Sequence, residues 1–426
     1  MRVSKTRFVR VIRLQRTQTL KGEFNTKRSL YVTFVTLVCM VLITGCWNRR
    51  ELNDLAVTVA IGVDKNGKQI MISNQILNAG AISGKEGGSS SVAPVTLFQE
   101  KGDGFQEVAR RMTTRSTRKI YVGQMQILIF GEKFAREGVG RVLDHISRDH
   151  EYRKDFYVII ARGAEAQDIL KVFTPLEKTP ATKMNASLEV SSKAWGATAA
   201  VKIDDFTSNI ISKGKEAVLT GITLNGDPQV GNDKGNVEKI FSPARIKYFG
   251  IAVFKKDKLL GWLNEEESMG FNYTQGEVKS TAVLLTCPNE ENHMTVELMR
   301  TKNKTQVVMK NGKPIISLKI KAEGAVTDAQ CPMDLTKPSS ILQMEQLTQN
   351  KIKASILAAI KTVQTQYKSD IFGFGEEVER NFPEYWEKAK DNWDERMSSL
   401  QVDVQIEVKI KQMFKTSKSF YERMGE

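Results

Sequence analysis

Gln126–Phe130 (QILIF), Lys133–Ile146, Asp155–Ala161 (DFYVIIA) and Ala164–Val172 follow one another in the chain, and their reading decides the fold. The first and third are short β-rich apolar runs; the second and fourth read as helices. Strand and helix alternate here, so an α/β or α+β layer is expected. Upstream, Leu55–Asp64 (LAVTVAIGVD) and Gln69–Leu77 (QIMISNQIL) are two β-rich runs joined through Asn66-Gly67, a tight hairpin signal. Gly80–Pro94 (GAISGKEGGSSSVAP) has no periodicity and reads as a surface loop. A strand near Val95–Glu100 follows. Gly104–Arg118 then places Phe105, Val108, Ala109 and Met112 at helical spacing.

Downstream, Thr174–Lys202 reads as helix or loop entered through Pro175 and Pro180, and Asp204-Asp205 as the cap of a short helix to Ser212. Lys213–Pro243 is rich in Gly and Asn and reads as a small subdomain or boundary. Lys247–Phe254 and Leu259–Leu263 follow as β-runs, and Asn264 caps a helix through Phe271. Glu277–Thr286, Met294–Arg300, Thr305–Lys310 and Pro314–Thr327 predict an antiparallel sheet, with Asn311-Gly312 as a second hairpin signal. The longest helix runs from Pro338 to about Tyr367, with Ile341, Met344, Leu347, Ile352, Ile356, Ile360, Val363 and Tyr367 on the face that packs on that sheet. Pro383–Met397 is a further helix, and Val402–Ile410 (VDVQIEVKI) a final half-buried strand. The expected class is α+β and multi-domain: an N-terminal mixed α/β layer domain over 46–202, a small middle subdomain or linker over 203–243, and a C-terminal domain over 244–426 in which a long helix packs an antiparallel sheet.

The N-terminus carries an address. The first 28 residues hold nine Lys or Arg against one acid, Glu23, and Leu30–Gly45 (LYVTFVTLVCMVLITG) is uncharged. Ile43-Thr44-Gly45-Cys46 then has the small residues and the cysteine that a lipoprotein signal peptidase requires. The expectation is a signal peptide over 1–45 and a diacylated Cys46, with an uncleaved N-terminal anchor as the alternative. Two acyl chains hold a protein on a membrane where one would be marginal. Losing nine basic residues and one acidic residue with the signal takes the formal net charge from +14 to +6. That modest surplus suits either apposition to an anionic leaflet or a solubilising surface, and it removes most of the case for nucleic acid. Cys287 and Cys331 are left in an oxidising compartment, where they can form a disulfide or stand as two buried thiols.

Catalytic patterns fail one by one. His145 and His150 are five apart, not at the spacing of a zinc helix; no HExxH and no G-x-S-x-G is present, and Cys287 and Cys331 have only His293 near in sequence. Gly80–Glu86 misses the phosphate-loop spacing and has Glu86 in place of the Ser or Thr. Gly373-Phe374-Gly375 lacks the third glycine of a dinucleotide loop, and Asp64-Lys65-Asn66-Gly67 lacks the later acids of a calcium loop. Asp204/Asp205 and Glu376/Glu377 are carboxylate pairs of the kind common on solvated surfaces. The reading is therefore not an enzyme, with no cofactor, no metal and no catalytic residue.

Gly45-Cys46-Trp47-Asn48-Arg49-Arg50-Glu51-Leu52-Asn53-Asp54-Leu55, running into Gly62-Val63-Asp64, closely resembles the mature N-terminus of Ger(x)C spore germination lipoproteins, with Asn48 where Asp is usual. The resemblance continues in Gly261-Trp262-Leu263-Asn264 with Glu267 and Gly270, in Asp370–Gly375 and in Pro383–Trp393, and so spans the mature chain. It implies the C subunit of a nutrient germinant receptor, lipid-anchored to the outer face of the spore inner membrane, without enzymatic activity. The implied partners are an A-type and a permease-like B-type receptor subunit, and membrane lipid through diacylated Cys46. Trp47, Arg49 and Arg50 lie within a few residues of the acyl chains, where they can meet the membrane interface or serve as plain tether. Phe372, Phe374, Phe382, Tyr385, Trp386 and Trp393 read as core closure, with a partner-binding patch as the alternative. The competing function is a lipid-anchored solute-binding protein of a transport system, which would show two similar α/β lobes.

Overall fold

Four parallel strands with both faces buried form the middle of the larger of two sheets in the computed structural model, which describes residues 29–38, 40, 51–82, 92–287, 291–331 and 333–413. That sheet contains β1 (Leu55–Asn66), β2 (Gln69–Leu77), β3 (Val95–Gly102), β4 (Lys119–Tyr121), β5 (Ile127–Gly131), β6 (Tyr157–Ala161), β7 (Val218–Asn225), β8 (Arg245–Lys255) and β9 (Lys258–Leu263). Their order is β3-β2-β1-β5-β6-β7-β8-β9, with β4 beside β1. The strands β1, β5, β6 and β7 are mutually parallel, and antiparallel pairs extend the sheet at both edges. Every residue of β5 and β6 is buried, which is why these runs show no polar alternation: helices cover both sides.

Those helices are α1 (Phe105–Arg111), α2 (Glu132–Glu137), α3 (Gly140–Arg148), α4 (Ala166–Lys171), α5 (Pro180–Ala194) and α6 (Ile203–Ile211). Helices α4 and α5 pack on one face and the other four on the opposite one. The segment Lys133–Ile146 is two helices, because Gly138 sits at φ +129, which ends α2, and Val139 N–H donates to Asp257 C=O before α3 begins. Lys202, rather than Asp204 or Asp205, is the N-cap of α6, and the two acids fall in its first turn, where they favour the helix dipole.

The second sheet is β10 (Thr281–Thr286), β11 (His293–Lys310), β12 (Lys313–Ala329) and β13 (Gln401–Met413), in that order. Three strands are antiparallel; β13 joins parallel to β12, a pairing that requires a long crossover. The crossover includes α8 (Pro338–Thr362), which with α7 (Glu265–Gln275) covers the inner face. Met294–Arg300 and Thr305–Lys310 are one continuous strand, since the polar residues between them still pair with β12. At the tip, Asn311 and Gly312 both have positive φ, +51 and +74, as a two-residue type I′ turn needs.

The first sheet runs through the boundaries expected at 203–243 and 244. β7 pairs with β6 and β8, and β8 and β9, expected with the C-terminal domain, complete the N-terminal sheet. The Gly- and Asn-rich sequence around β7 supplies turns at its ends while its apolar residues face both layers. Val218, Ile251, Val253 and Leu263 of this sheet share one apolar cluster with the second sheet, α7 and α8. The molecule is thus α+β and multi-domain, with two sheets and a common core where they meet. Residues 29–38 and 40, in a separate unit, are helical, and among the described residues no helix is long and apolar enough to cross a membrane. Residues 39 and 41–45 of the uncharged run, residues 83–91 of the loop read at Gly80–Pro94, and the whole positive segment 1–28 lie outside the described residues.

Cys287, just past β10, and Cys331, just past β12, are bonded, with their Cα atoms 5.6 Å apart and a sequence separation of 44. The bond closes the base of the β10–β11–β12 meander. Replacing either cysteine with Ser is expected to lower stability by about 2–4 kcal/mol. Denaturant unfolding with and without reductant measures this; equal midpoints for the wild type and the variant in the absence of reductant would count against the bridge.

Candidate functional site

Open α/β sheets place ligands in the crevice beyond the carboxyl ends of their parallel strands. Here Asp64 lies near the end of β1, β5 ends at Gly131 and β6 at Ala161, and a pocket opens there, lined by Asp64, Glu132, Arg136, Glu165 and Asp168 among others. Asp64 is buried and accepts the N–H groups of Ala166 at 2.7 Å and Gln167 at 2.9 Å, which caps α4. Burial pushes its carboxyl up to about 6 against those two hydrogen bonds. Gly131 has to lack a side chain, since a Cβ would stand 2.2 Å from Asp64 Oδ1. Glu132 accepts from Gly163 N–H at 2.9 Å, Trp262 Nε1–H at 3.1 Å and Arg136 at 2.6 Å. Burial alone would raise it, but these donors together hold it below the usual glutamate range.

Behind Glu132, the Arg162 guanidinium lies 4.7 Å from the Trp262 ring and 5.0 Å from that of Phe249. Burial among the rings lowers its pKa, and the stacking offsets part of that desolvation. Both carboxylates thus spend their oxygens on donors of the protein itself, so neither is an idle base. Among the described residues, no group of three or more His, Cys, Asp or Glu is disposed to hold a metal ion. The crevice is a built joint between β-strand ends, α4 and β9.

A second set of residues ties the sheets together. Tyr367 Oη accepts the Trp262 N–H and donates to the Trp262 C=O, each at 3.0 Å, and its ring occupies the space that a side chain at Gly261 would need. Asn264 and Glu267 form a reciprocal capping box that starts α7. Glu267 also accepts from Thr362 at the end of α8. At Gly270 a Cβ would lie 2.1 Å from Ser355 C=O, so α7 and α8 touch backbone to backbone.

Asp370 is the centre of this set. It is 1% exposed, and its carboxylate accepts Gly373, Phe374 and Gly375 N–H at 3.0, 3.2 and 2.7 Å and Trp393 Nε1–H at 2.8 Å. Consecutive N–H groups of this kind make an anion-binding nest, occupied here by the chain's own aspartate at the start of α9 (Phe374–Asn381). The same segment reaches the first sheet: Ser369 donates to Phe254 C=O at 2.7 Å, and Glu216 N–H to Asp370 C=O at 2.8 Å. Gly375 and Gly214 meet so closely that a Cβ on either would fall within 2.8 Å of the other's segment.

Two family models match the chain, and the break between them falls between β7 and β8, within the first sheet. "Spore germination protein N-terminal domain" matches residues 48–224, and "Spore germination B3/ GerAC like, C-terminal" matches residues 249–413. The chain belongs to the Ger(x)C family. It is 28% identical to spore germination protein KC of Bacillus subtilis (strain 168) over 390 residues, covering 90% of this chain and 96% of that one. Spore germination protein B3 of the same organism is 23% identical, with 88% and 96% covered. The crystal structure of the GerBC protein matches with a TM-score of 0.50 over 83% of this chain and 97% of that one, at 19% identity, and shares the fold.

Of the residues singled out in sequence, Cys46, Trp47, Arg49 and Arg50 lie outside the described residues. Phe372, Phe374, Trp386 and Trp393 are buried, and Phe382 and Tyr385 are partly so; Trp386 and Trp393 pack edge to face. The Pro383–Met397 segment is three short helical pieces around them. His145 stacks on Phe105, and burial lowers its pKa. Sequence reasoning missed Asp370 and Glu132. The one available signal was Asp370-x-x-Gly-x-Gly, a carboxylate placed just ahead of glycine N–H groups.

Replacing Asp370 with Asn puts an amide donor against N–H donors and is expected to lower stability by about 3 kcal/mol, read by urea unfolding. Burial also pushes Glu216 up to about 7. A carboxyl raised in the folded state holds its proton more tightly there than in the unfolded chain, so its stabilisation is complete below the ordinary carboxylate range. It is lost as pH rises through about 7. The urea midpoint should therefore fall between about pH 5 and about pH 8, and Glu216→Gln should flatten the slope; a midpoint that rises over that interval contradicts the assignment.

Proposed function

We propose that this chain is the lipid-anchored C subunit of a nutrient germinant receptor, a non-enzymatic interaction component held by diacylated Cys46 on the outer face of the spore inner membrane. The observation that carries the reading is full-length kinship. Relatives named as spore germination proteins align over about nine-tenths of the chain, which supports a germination-related role. The lipobox and the Gly45-Cys46-Trp47 start support the anchor. The partners are an A-type subunit and a permease-like B-type subunit. A non-enzymatic role agrees with a crevice whose carboxylates are all engaged by the protein's own donors. A solute-binding protein would need two similar lobes, whereas the two sheets here differ in strand number and pairing.

Deleting the gene is expected to abolish the response to one class of nutrient while leaving germination by non-nutrient triggers intact. An unaffected nutrient response in every class tested would remove the receptor role. Cys46→Ala should leave the chain unprocessed or free of membranes, checked by fractionation and lipid labelling; labelled lipid on that variant would refute the anchor.

A further inference from the structure

The outer face of the second sheet carries a lysine field that the sheet's own stability does not explain. On β11 and β12, Lys302 is directly opposite Lys321, Lys304 opposite Lys319, and Lys310 opposite Lys313. All six are exposed. Their neighbours on the other side of each strand, Ile316, Leu318 and Ile320 among them, point into the core. Like charges directly opposite on a sheet repel, so three such pairs in one hairpin oppose its folding.

Two ordinary explanations fall short. Lysines on an edge strand discourage pairing with another chain, and β11 beyond β10 is such an edge. That purpose needs no lysines on β12, which lies between β11 and β13. Neutralisation within the sheet is also incomplete. Glu407 on β13 takes Lys321 at 2.9 Å, and Glu323 is taken by Lys411 at 2.6 Å. Among the described residues no ion pair is made by Lys302, Lys304, Lys310, Lys313 or Lys319. Lys321, Lys319 and Lys409 hold Glu407, and Lys411, Arg300 and Lys302 hold Glu323, below the usual glutamate range, as expected in a positive field.

We propose that this face is an electrostatic docking surface for an anionic lipid bilayer, lying against lipid phosphates when the chain is tethered. Lys302, Lys304, Lys319 and Lys321 form one group with about 7 Å between same-face neighbours on each strand, and the Lys310–Lys313 pair lies six residues, about 20 Å, further along at the turn. The spacing within the group of four is shorter than the Debye length of about 8 Å at physiological salt, so those charges act jointly, and the pair at the turn extends the positive surface along the hairpin. Lysine is a mobile point charge, depleted in protein interfaces, which have an apolar or aromatic centre. This face has no aromatic residue on β11 or β12. A planar array of phosphates needs no such centre. The docking rests on the anchor proposed above to bring the face to the membrane, and the two are separable by experiment.

The mature lipidated chain, carrying Gln306→Cys on the outer face with a donor dye, would be reconstituted on vesicles of phosphatidylcholine with or without phosphatidylglycerol, each bearing a headgroup acceptor. Energy transfer is expected on the anionic vesicles and lost on neutral ones, at high salt, and in a Lys304→Gln, Lys310→Gln, Lys319→Gln triple variant. It should persist in a Lys68→Gln, Lys353→Gln, Lys388→Gln control of equal charge change. Transfer that is equal on both vesicle types, or that survives the first triple, overturns the proposal. So does a face that is quiet on every vesicle and becomes protected only by an acidic protein. The triple variant should melt no lower than the parent, because it removes repulsion; a lower melting point assigns the lysines to structure and also overturns the proposal. Flotation with neutral vesicles reads the anchor alone. If that fails, salt-sensitive flotation with the anionic vesicles still reads the face.

Discussion

One buried carboxylate holds the two sheets in register with each other. Asp370 collects four N–H donors from a single loop and an indole, and its own backbone carbonyl receives Glu216 N–H from the segment that leads into β7. A charge without water is tolerable only when its hydrogen bonds are complete. The loop therefore cannot open without leaving an uncompensated anion in a core that also contains Phe372, Phe374 and Trp393. The glycines at 373 and 375 follow from this: the first sits at φ +78, and the second must present its N–H with no side chain between it and Gly214. The joint is brittle by construction. Any loosening strips donors from the buried carboxylate, so the contact resists opening.

The same logic explains the crevice at the strand ends. A site that binds small molecules keeps polar groups in reserve, whereas Asp64 and Glu132 have none to spare. Trp262 links this crevice to the Asp370 joint, because it donates to Glu132, stacks near Arg162 and is fixed at its backbone by Tyr367 from the segment just before Asp370. Among the described residues, Asp64, Trp262, Asn264, Glu267, Gly270 and Asp370, all within the family-like strings, fall at the joints between layers. Their common property is that they join layers.

Local signals were readable in the sequence and long-range ones were not. The apolar runs of β5 and β6, the Asn311-Gly312 turn and the Asn264 helix cap depend on neighbours within a few positions, and each stands where its pattern puts it. β7 was hidden, because a strand flanked by Gly and Asn looks like a linker until β6 and β8 are known to lie beside it. β11 was split, because its polar middle takes its partners from β12. Asp64 read as a failed calcium loop, yet its ligands are N–H groups about a hundred positions away on α4. Asp370 binds backbone, which carries no residue type to recognise.

The lysine hairpin gains meaning from how firmly its ends are fixed. At one end, Asn311 and Gly312 adopt the conformation that a type I′ turn demands, and at the other the Cys287–Cys331 bond ties the strands' flanks together. Along the inner side Leu318 and Ile320 are anchored in the shared core, and Asn303 on β11 reaches Thr274 C=O on α7. Repulsion among the outer lysines thus acts on a hairpin that cannot splay, and it remains as stored potential at the surface. A free hairpin would relieve the repulsion by fraying. A clamped one keeps its charges at fixed spacing, where the bilayer phosphates proposed above can meet them. Rigidity in the joint and charge on the face are two parts of one arrangement: the first keeps the second from collapsing.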